Sequence, residues 1–296
     1  MSDRGIVYDT RRKIQYIAGI LLPDTIVSKI YFRIVLKQKL DLKSPRSFNE
    51  KIQWYKLYYC PNTPLVIRCA DKALLHTYLE EKDMSELAVP IIGVWKDVRD
   101  INFDLLPEQF VIKCNHGCGY NIIVQDKRKA DVGKMQKQLD AWMKEDFAYF
   151  NAEPHYKRIS KRIVCEKYLG DGKTQFMSDF KVHCFNGEPL FTLVCFDRVS
   201  EKANANYVYY DNDWNHLDYS NTPQKAFEKP LCFDEMLQAS RIIAKDFPFV
   251  RVDFYEVGGK PYIGELTFDP DGGLDDTLYK KADYEIGDLL DLGVCQ

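Results

Sequence analysis

The sequence predicts an α+β fold with mostly antiparallel sheets and a helical N-terminal extension. Two turn signals, Asn186-Gly187 and Gly258-Gly259-Lys260, each separate a pair of apolar-rich strands in the second half of the chain. Helical periodicity occurs between these segments and in the first half. Strands and helices alternate without a regular βαβ repeat, which argues against a doubly wound parallel sheet.

The individual elements follow from capping residues, turns and periodicity. Ser47 and Glu50 form a capping-box pattern at the start of a helix. Helices are expected at residues 48–58, 71–81, 131–147 and 234–245. Strands are expected at residues 88–95, 110–114, 122–125, 162–169, 180–185, 189–196, 249–255 and 262–268.

Composition and charge narrow the class of protein. The 296 residues are 46% hydrophobic and 29% charged, which is typical of a globular protein. A net charge of −3 gives no signal for nucleic-acid binding. The nine cysteines are irregularly spaced, odd in number and not preceded by a secretory signal. They indicate reduced thiols and a cytoplasmic protein.

The first sixty residues are basic, with 12 Lys/Arg against 5 Asp/Glu. Lys29, Arg33 and Lys37 recur every four residues and predict a basic stripe on one helix, beside a row of apolar residues. The row consists of Ile26, Val27, Ile30 and Ile34. One interpretation is a solvated helix face packed on the rest of the protein. The other is contact with an acidic glycan or with an anionic membrane surface, at the inner face of the membrane.

The C-terminal strand pair carries acidic residues on one face. A three-residue turn, Gly258-Gly259-Lys260, would pair Val257 with Pro261. That register places Asp253 opposite Glu265, with their Cβ atoms about 5 Å apart. Two carboxylates so close repel each other unless a cation lies between them.

The chemistry of these side chains suits a phosphate-bound cation. Carboxylate oxygens from Asp253 and Glu265 are ligands that Mg²⁺ prefers when phosphates complete its shell. Arg251, opposite Thr267 in the same register, can stabilise a transferring phosphoryl group. The alternative is the exposed polar face of an antiparallel sheet.

A glycine-rich segment follows the strand at 110–114. Glycines let backbone N–H groups approach phosphate oxygens, and Lys113 adds a positive charge immediately upstream. The spacing fits neither a Walker loop nor a dinucleotide-binding fingerprint. An ordinary tight turn is the alternative, with His116 either capping it or touching substrate. Cys114 and Cys118 around His116 also suggest zinc, although no second ligand pair lies at finger-like spacing.

Taken in chain order, these segments resemble the ATP-grasp superfamily, and more closely the TupA-like ATP-grasp proteins of bacterial surface-polysaccharide gene clusters. The resemblance covers about residues 44–292. The phrases that carry it are Ser47-Phe48-Asn49-Glu50-Lys51-Ile52-Gln53-Trp54, Lys113-Cys114-Asn115-His116-Gly117, Glu166-Lys167-Tyr168-Leu169, Asp179-Phe180-Lys181, Cys184-Phe185-Asn186-Gly187-Glu188-Pro189, Phe247-Pro248-Phe249-Val250-Arg251-Val252-Asp253 and Gly264-Glu265-Leu266-Thr267-Phe268.

The resemblance implies a site for ATP and Mg²⁺. It assigns ATP binding to Lys72, Lys113, His116, Gly117, Cys118, Gly119, Tyr120, Glu166, Lys167, Leu169 and Asp179. Within this set, Lys72 and Lys113 would hold phosphates, residues 117–120 would cover them, residues 166–169 would line the adenine, and Asp179 would meet the ribose. It assigns catalysis to Arg251 and Lys181, and the metal to Asp253, Glu265 and Thr267. Superfamily members usually have Asn where this chain has Thr267, and residues 269–273 are more acidic than the usual loop.

The resemblance also implies four regions and an activity. The regions are a basic helical N-terminus (1–60), an N-terminal ATP-grasp subdomain (61–106), a lid (107–170) and a C-terminal subdomain with the metal site (171–296). The implied activity is an ADP-forming ligase that joins an amine co-substrate to a carboxylate-bearing glycan. Independently of the resemblance, the basic N-terminus suggests contact with a membrane or a glycosyltransferase complex. The alternatives are a kinase for a glycan-related acceptor, a nucleotide-binding scaffold without turnover, and a membrane-surface adaptor.

Overall fold

Two antiparallel sheets organise the chain in this computed structural model, which describes residues 3–170, 176–198, 205–220 and 225–293. The helices are α1 (Asp3–Leu21), α2 (Asp24–Val35), α3 (Phe48–Trp54), α4 (Pro64–Ala70), α5 (Leu75–Glu81), α6 (Val132–Lys144), α7 (Ala148–Asn151), α8 (Phe233–Ala244) and α9 (Lys280–Leu289). The strands are β1 (Ile91–Trp95), β2 (Phe110–Cys114), β3 (Asn121–Val124), β4 (Ile163–Lys167), β5 (Asp179–Phe185), β6 (Glu188–Phe196), β7 (Asn206–Asp211), β8 (His216–Leu217), β9 (Phe249–Val257) and β10 (Lys260–Thr267).

The strands form a four-stranded sheet in the order β1-β4-β2-β3 and a six-stranded sheet in the order β10-β9-β5-β6-β7-β8. Every pair of neighbouring strands within these sheets is antiparallel. The predicted α+β class with mostly antiparallel sheets is therefore confirmed. The short strands β7 and β8 were not predicted.

The four-stranded sheet includes β1, which the sequence assigned to a separate subdomain ending at residue 106. Trp95 of β1 pairs with Ile163 of β4. Ile101, Phe103 and Leu106 belong to the same apolar cluster as the buried residues of this sheet. Residues 91–106 thus pack with the predicted lid. The sequence did not predict this packing, because the partner of β1 lies far away in the chain and no local pattern identifies it.

The helix α3 packs on the six-stranded sheet and begins where the sequence predicts. The Ser47 side chain accepts a hydrogen bond from the Glu50 amide, and the Glu50 carboxylate accepts one from the Ser47 amide, which completes the capping box. The helix continues as a π-helix over Tyr55–Tyr59. The buried Tyr55 hydroxyl donates to the Phe249 carbonyl over 2.9 Å, so this segment belongs to the core of the C-terminal sheet.

The helices α1 and α2 lie beside α7. The Tyr16 ring on α1 contacts the rings of Tyr149 and Phe150 at centroid distances of 5.6 and 5.2 Å. The helix α2 ends at Val35, and Lys37 has a φ of 58°, so Lys37 lies outside the predicted basic stripe. Among the described residues, no helix is long and apolar enough to cross a membrane.

Candidate active site

The central feature of the site is a row of three charged side chains across adjacent strands. Lys181 on β5 is paired with Asp253 on β9, and Asp253 is paired with Glu265 on β10. In the next row, Arg251 is paired with Thr267. The predicted pairing of Asp253 with Glu265, and of Arg251 with Thr267, is therefore confirmed.

The turn that creates this register differs from the prediction. Val257 pairs with Lys260 across a two-residue Gly258-Gly259 turn, so the predicted three-residue turn is wrong. A β-bulge at Gly264, between Ile263 and Glu265, then shifts the register by one residue. The shorter turn and the bulge offset each other at the position of the carboxylates.

Asp253 is held by two cations. Arg251 donates from Nε and Nη2 to its two carboxylate oxygens, each over 2.7 Å, and Lys181 Nζ donates to Oδ2 over 2.7 Å. Burial favours the protonated form, but Arg251 and Lys181 outweigh it and lower the pKa of Asp253. Asp253 is thus an anion at neutral pH.

Glu265 is likewise an anion. Its carboxylate lies 3.4 Å from Lys72 Nζ, and it is about one-third exposed. Burial opposes ionisation, but the nearby Lys72 lowers the pKa of Glu265. The Thr267 hydroxyl accepts a hydrogen bond from Arg251 over 3.2 Å.

The row contains oxygen donors of the kind that magnesium prefers. Among the described residues, no group of three or more His, Cys, Asp and Glu side chains is arranged to hold a metal. The available set is Asp253, Glu265 and the Thr267 hydroxyl. This small set of hard oxygen ligands suits a cation that takes its remaining ligands from phosphates and water.

A cleft between the two sheets is lined by Asp179 and Tyr255, which lie two positions from Lys181 and Asp253 on the same strands. Its cavity volume is about 110 Å³. Its apolar walls are formed by Val89, Val111, Ile123, Leu169, Phe176 and Met177. Its polar groups come from Lys113, Asn121, Glu166, Lys167, Asp179, Arg198 and Tyr255. The structure thus brings together the residues predicted to surround the adenine and ribose.

Two ion pairs order the polar groups of the cleft. Lys113 Nζ lies 2.7 Å from Glu166, and Arg198 contacts Asp179. Burial raises the pKa of Asp179, although Lys181 and Arg198 oppose this effect. Arg198 was missed by sequence reasoning because it follows β6 with no motif around it.

The glycine-rich segment after β2 packs against the lid core. The Gly117 carbonyl accepts a hydrogen bond from Lys72 over 3.0 Å, and a Cβ at Gly117 would lie 2.7 Å from the Phe147 ring. Gly117 therefore allows a close approach that a larger residue would prevent. Gly119 has a φ of 72°, which favours glycine. Cys118 is exposed.

Two predicted ATP-binding residues direct their side chains into the lid instead. His116 is 1% exposed and its Nε2 lies 3.2 Å from the Trp142 carbonyl. The Tyr120 hydroxyl donates to Glu145 over 2.6 Å. A nucleotide in the cleft can reach these two positions only through their backbone.

The zinc alternative at Cys114, His116 and Cys118 gains no support, since within the described ranges no such cluster has metal-binding geometry. The eight cysteines in the described part of the chain are free thiols, while Cys295 lies outside it.

A second buried polar cluster lies behind the site, and sequence reasoning missed it. Lys56 is fully buried and donates to the carbonyls of Gly272 and Asn151 over 2.8 and 3.0 Å. Burial raises the pKa of the neighbouring Glu153 to about 7 and lowers that of His155 to about 3. Lys56 fixes the segment Pro270–Gly273, which follows β10.

The fold and the site define an ATP-grasp protein. The profile of the TupA-like ATP-grasp family matches residues 50–291, and the chain belongs to this family. No curated protein matches the sequence significantly.

Solved structures with a similar fold include three ligases or synthetases. The D-alanine–D-alanine ligase from Bacillus anthracis complexed with ATP is 15% identical, with a TM-score of 0.44, over 75% of this chain and 61% of that one. The D-alanine–D-alanine ligase from Helicobacter pylori is 14% identical, with a TM-score of 0.43, over 83% and 71%. The D-cycloserine synthetase DcsG is 14% identical, with a TM-score of 0.42, over 77% and 72%. This chain spans about three-fifths of the length of the first of these.

Proposed function

We propose that this protein is an ATP-dependent, ADP-forming carboxylate–amine ligase. The observation that carries the proposal is the row of Lys181, Asp253 and Glu265, with Arg251 beside it. The cleft-lining residues Asp179 and Tyr255 lie two positions away on the same strands. This arrangement places two anions for a metal and two cations for phosphates on one sheet face. Membership of the TupA-like ATP-grasp family supports the same activity.

In the proposed complex, the apolar cleft holds the adenine against residues 166–169, and Asp179 meets the ribose. The phosphates are contacted by Lys72, Lys113 and Lys181. The Nζ atoms of these lysines lie within 3.4 Å of carboxylates of the site. Asp253, Glu265 and Thr267 hold magnesium. The ion would supply positive charge against the phosphate oxygens.

The proposed reaction has two steps. An oxygen of the acceptor carboxylate attacks the γ-phosphorus, the bond to the β–γ bridging oxygen breaks, and ADP leaves. Arg251 stabilises the charge that spreads over the transferring group. The amine nitrogen then attacks the acyl carbon, the bond to the phosphate oxygen breaks, and phosphate leaves as the nitrogen loses a proton.

The proposed acceptor is a uronic acid of a bacterial surface polysaccharide or its precursor, and the proposed amine is an amino acid. This assignment rests on the resemblance to proteins of surface-polysaccharide gene clusters. We place the reaction in the cytoplasm, where ATP is available and where the eight free thiols of the described residues would stay reduced.

An isotope experiment tests the proposal. The carboxylate acceptor is labelled with oxygen-18 and incubated with ATP, Mg²⁺ and the amine. A ligase transfers one labelled oxygen to free phosphate and releases ADP. A phosphorylated acceptor that persists in the presence of amine would instead identify a kinase. Nucleotide binding without ADP release across candidate acceptors would identify a scaffold.

A further inference from the structure

An apolar face of α1 is exposed to solvent. Ile14, Ile17 and Leu21 are 63%, 55% and 74% exposed. At 3.6 residues per turn they span roughly 60° of the helix surface. Lys13 and Arg11 lie on either side of this arc, and both are exposed. Ile20, which is 54% exposed, lies beyond Lys13. The exposed apolar surface of α1 therefore includes Lys13, and Arg11 lies at its other edge.

The helix α2 repeats the pattern. Ile26, Ile30 and Ile34 are all exposed and recur every four residues. Lys29 and Arg33 are exposed and precede Ile30 and Ile34 by one residue each. The apolar and basic residues therefore share the solvent side of α2, while its opposite side is buried.

The two helices lie side by side. They contact each other directly, beside the Pro23 turn that joins them. Both helices also contact α7. We call the exposed residues Arg11, Lys13, Ile14, Ile17, Leu21, Ile26, Lys29, Ile30, Arg33 and Ile34 the α1–α2 face.

Nearly all charged residues of this region are basic. Between residues 11 and 37 the sequence contains six Lys/Arg and a single carboxylate, Asp24. Asp24 is paired with Lys157 over 3.1 Å. The α1–α2 face itself contains basic residues and no acidic residue.

We propose that the α1–α2 face binds an anionic membrane surface. The isoleucine and leucine side chains would enter the boundary between headgroups and acyl chains, and the basic residues would contact lipid phosphates. Lysines are depleted from the cores of protein–protein interfaces, whereas here they lie among the apolar residues. Two copies of this face would also repel each other. Binding to lipid therefore matches the pattern better than a protein partner, and it does not depend on the proposed reaction.

Vesicle sedimentation with the full-length protein tests this inference. The probes are vesicles of phosphatidylcholine alone and vesicles that also contain phosphatidylglycerol. We expect the protein to sediment with the anionic vesicles and to remain in solution with the neutral ones. Ile17→Glu and Ile30→Glu should each reduce binding at least about tenfold. Lys29→Gln with Arg33→Gln should reduce it roughly thirtyfold at low salt.

Matched controls lie on other surfaces. Leu105→Glu changes an 81% exposed leucine of the lid, and Lys134→Gln changes an exposed lysine of α6. Both should leave binding unchanged, and circular dichroism should show that all variants are folded. The inference is overturned if wild type ignores anionic vesicles, or if the α1–α2 variants bind like the controls. A dimer that Ile17→Glu dissociates, without vesicle binding by wild type, would identify an interface between copies instead.

Discussion

Lys181 and Asp253 lie opposite each other on β5 and β9, with the lysine Nζ 2.7 Å from the carboxylate Oδ2. The same carboxylate accepts two hydrogen bonds from Arg251. Asp253 therefore compensates two buried cations, and its negative charge contributes to the fold as well as to the proposed metal site.

This double role predicts different outcomes for the two proposed metal ligands. Asp253→Asn and Glu265→Gln should each abolish Mg²⁺-dependent ADP release. Asp253→Asn should in addition lower the free energy of unfolding by about 3 kcal/mol, because it removes the carboxylate that directly contacts both buried cations, Arg251 and Lys181. Glu265 is more exposed, so its substitution should cost about 1 kcal/mol or less.

ADP release as a function of Mg²⁺ concentration, with urea unfolding of each variant, checks both effects. Glu256→Gln, on the same strand but outside the row, serves as the control and should be active. Near-normal turnover in either Asp253→Asn or Glu265→Gln would show that the metal assignment is wrong.

The lysines predicted to hold phosphates should contribute to nucleotide affinity. Lys72→Met and Lys113→Met each remove a charged donor, and such hydrogen bonds contribute about 1.5–3 kcal/mol. We expect ATP to bind about tenfold to a hundredfold more weakly to each variant in titration calorimetry. Lys134→Met, on the surface of α6, should bind ATP like wild type. Unchanged affinity in both site variants would contradict their proposed role.

The buried Glu153 should make stability depend on pH. Its pKa is raised to about 7 by burial, so the folded protein holds this proton more tightly than the unfolded chain. The contribution of Glu153 is favourable below about pH 4.5 and is lost as the pH rises through about 7. Relative to Glu153→Gln, wild type should lose up to about 3 kcal/mol across this range.

Thermal and urea unfolding of wild type and Glu153→Gln at several pH values measure this difference. Comparing the two proteins removes contributions from other groups, including His155, whose lowered pKa acts in the opposite direction. Parallel stability curves for the two proteins would show that Glu153 does not titrate as proposed.

Replacing either of two helical glycines by alanine should change the stability of the protein, in opposite directions at the two positions. A Cβ at Gly287 of α9 would lie 2.2 Å from the Arg46 carbonyl oxygen, so Gly287→Ala must separate α9 from the start of α3. We expect it to cost about 2–3 kcal/mol of stability. Gly133 of α6 has room, with its nearest neighbour 3.5 Å away, so Gly133→Ala should gain about 0.5–1 kcal/mol. Urea unfolding tests both, and equal effects would contradict the packing of α9 on α3.

Local sequence patterns predicted those features that depend on neighbouring residues. The capping box at Ser47, the strand Phe110–Cys114 and the Asn186-Gly187 hairpin all formed as expected. The predicted pairing of Asp253 with Glu265 is also correct, although the predicted length of the turn was wrong.

Features set by distant contacts were not predictable in this way. In the sequence, nothing distinguishes Lys56 from an exposed charged residue of a helix. The two carbonyl groups that it contacts, in Asn151 and Gly272, are far away in the chain. The pairing of β1 with β4 has no local signal either. The exposure of Ile26, Ile30 and Ile34 depends on which side of α2 meets the rest of the protein.

The bulge at Gly264 has a consequence for how this hairpin can change during evolution. The two-residue turn places Tyr262 on the same sheet face as Asp253 and Ile263 on the opposite face. The bulge at Gly264 reverses this alternation, so that Glu265 and Thr267 lie on the face of Asp253. If the bulge were flattened with its residue retained, Gly264 would lie opposite Asp253, and Glu265 and Thr267 would turn to the far side of the sheet. Deletion of Gly264 itself would instead join Glu265 to Ile263 and leave Glu265 opposite Asp253. Descendants that keep the site should therefore be able to lose the bulge residue, but not to straighten the strand around it.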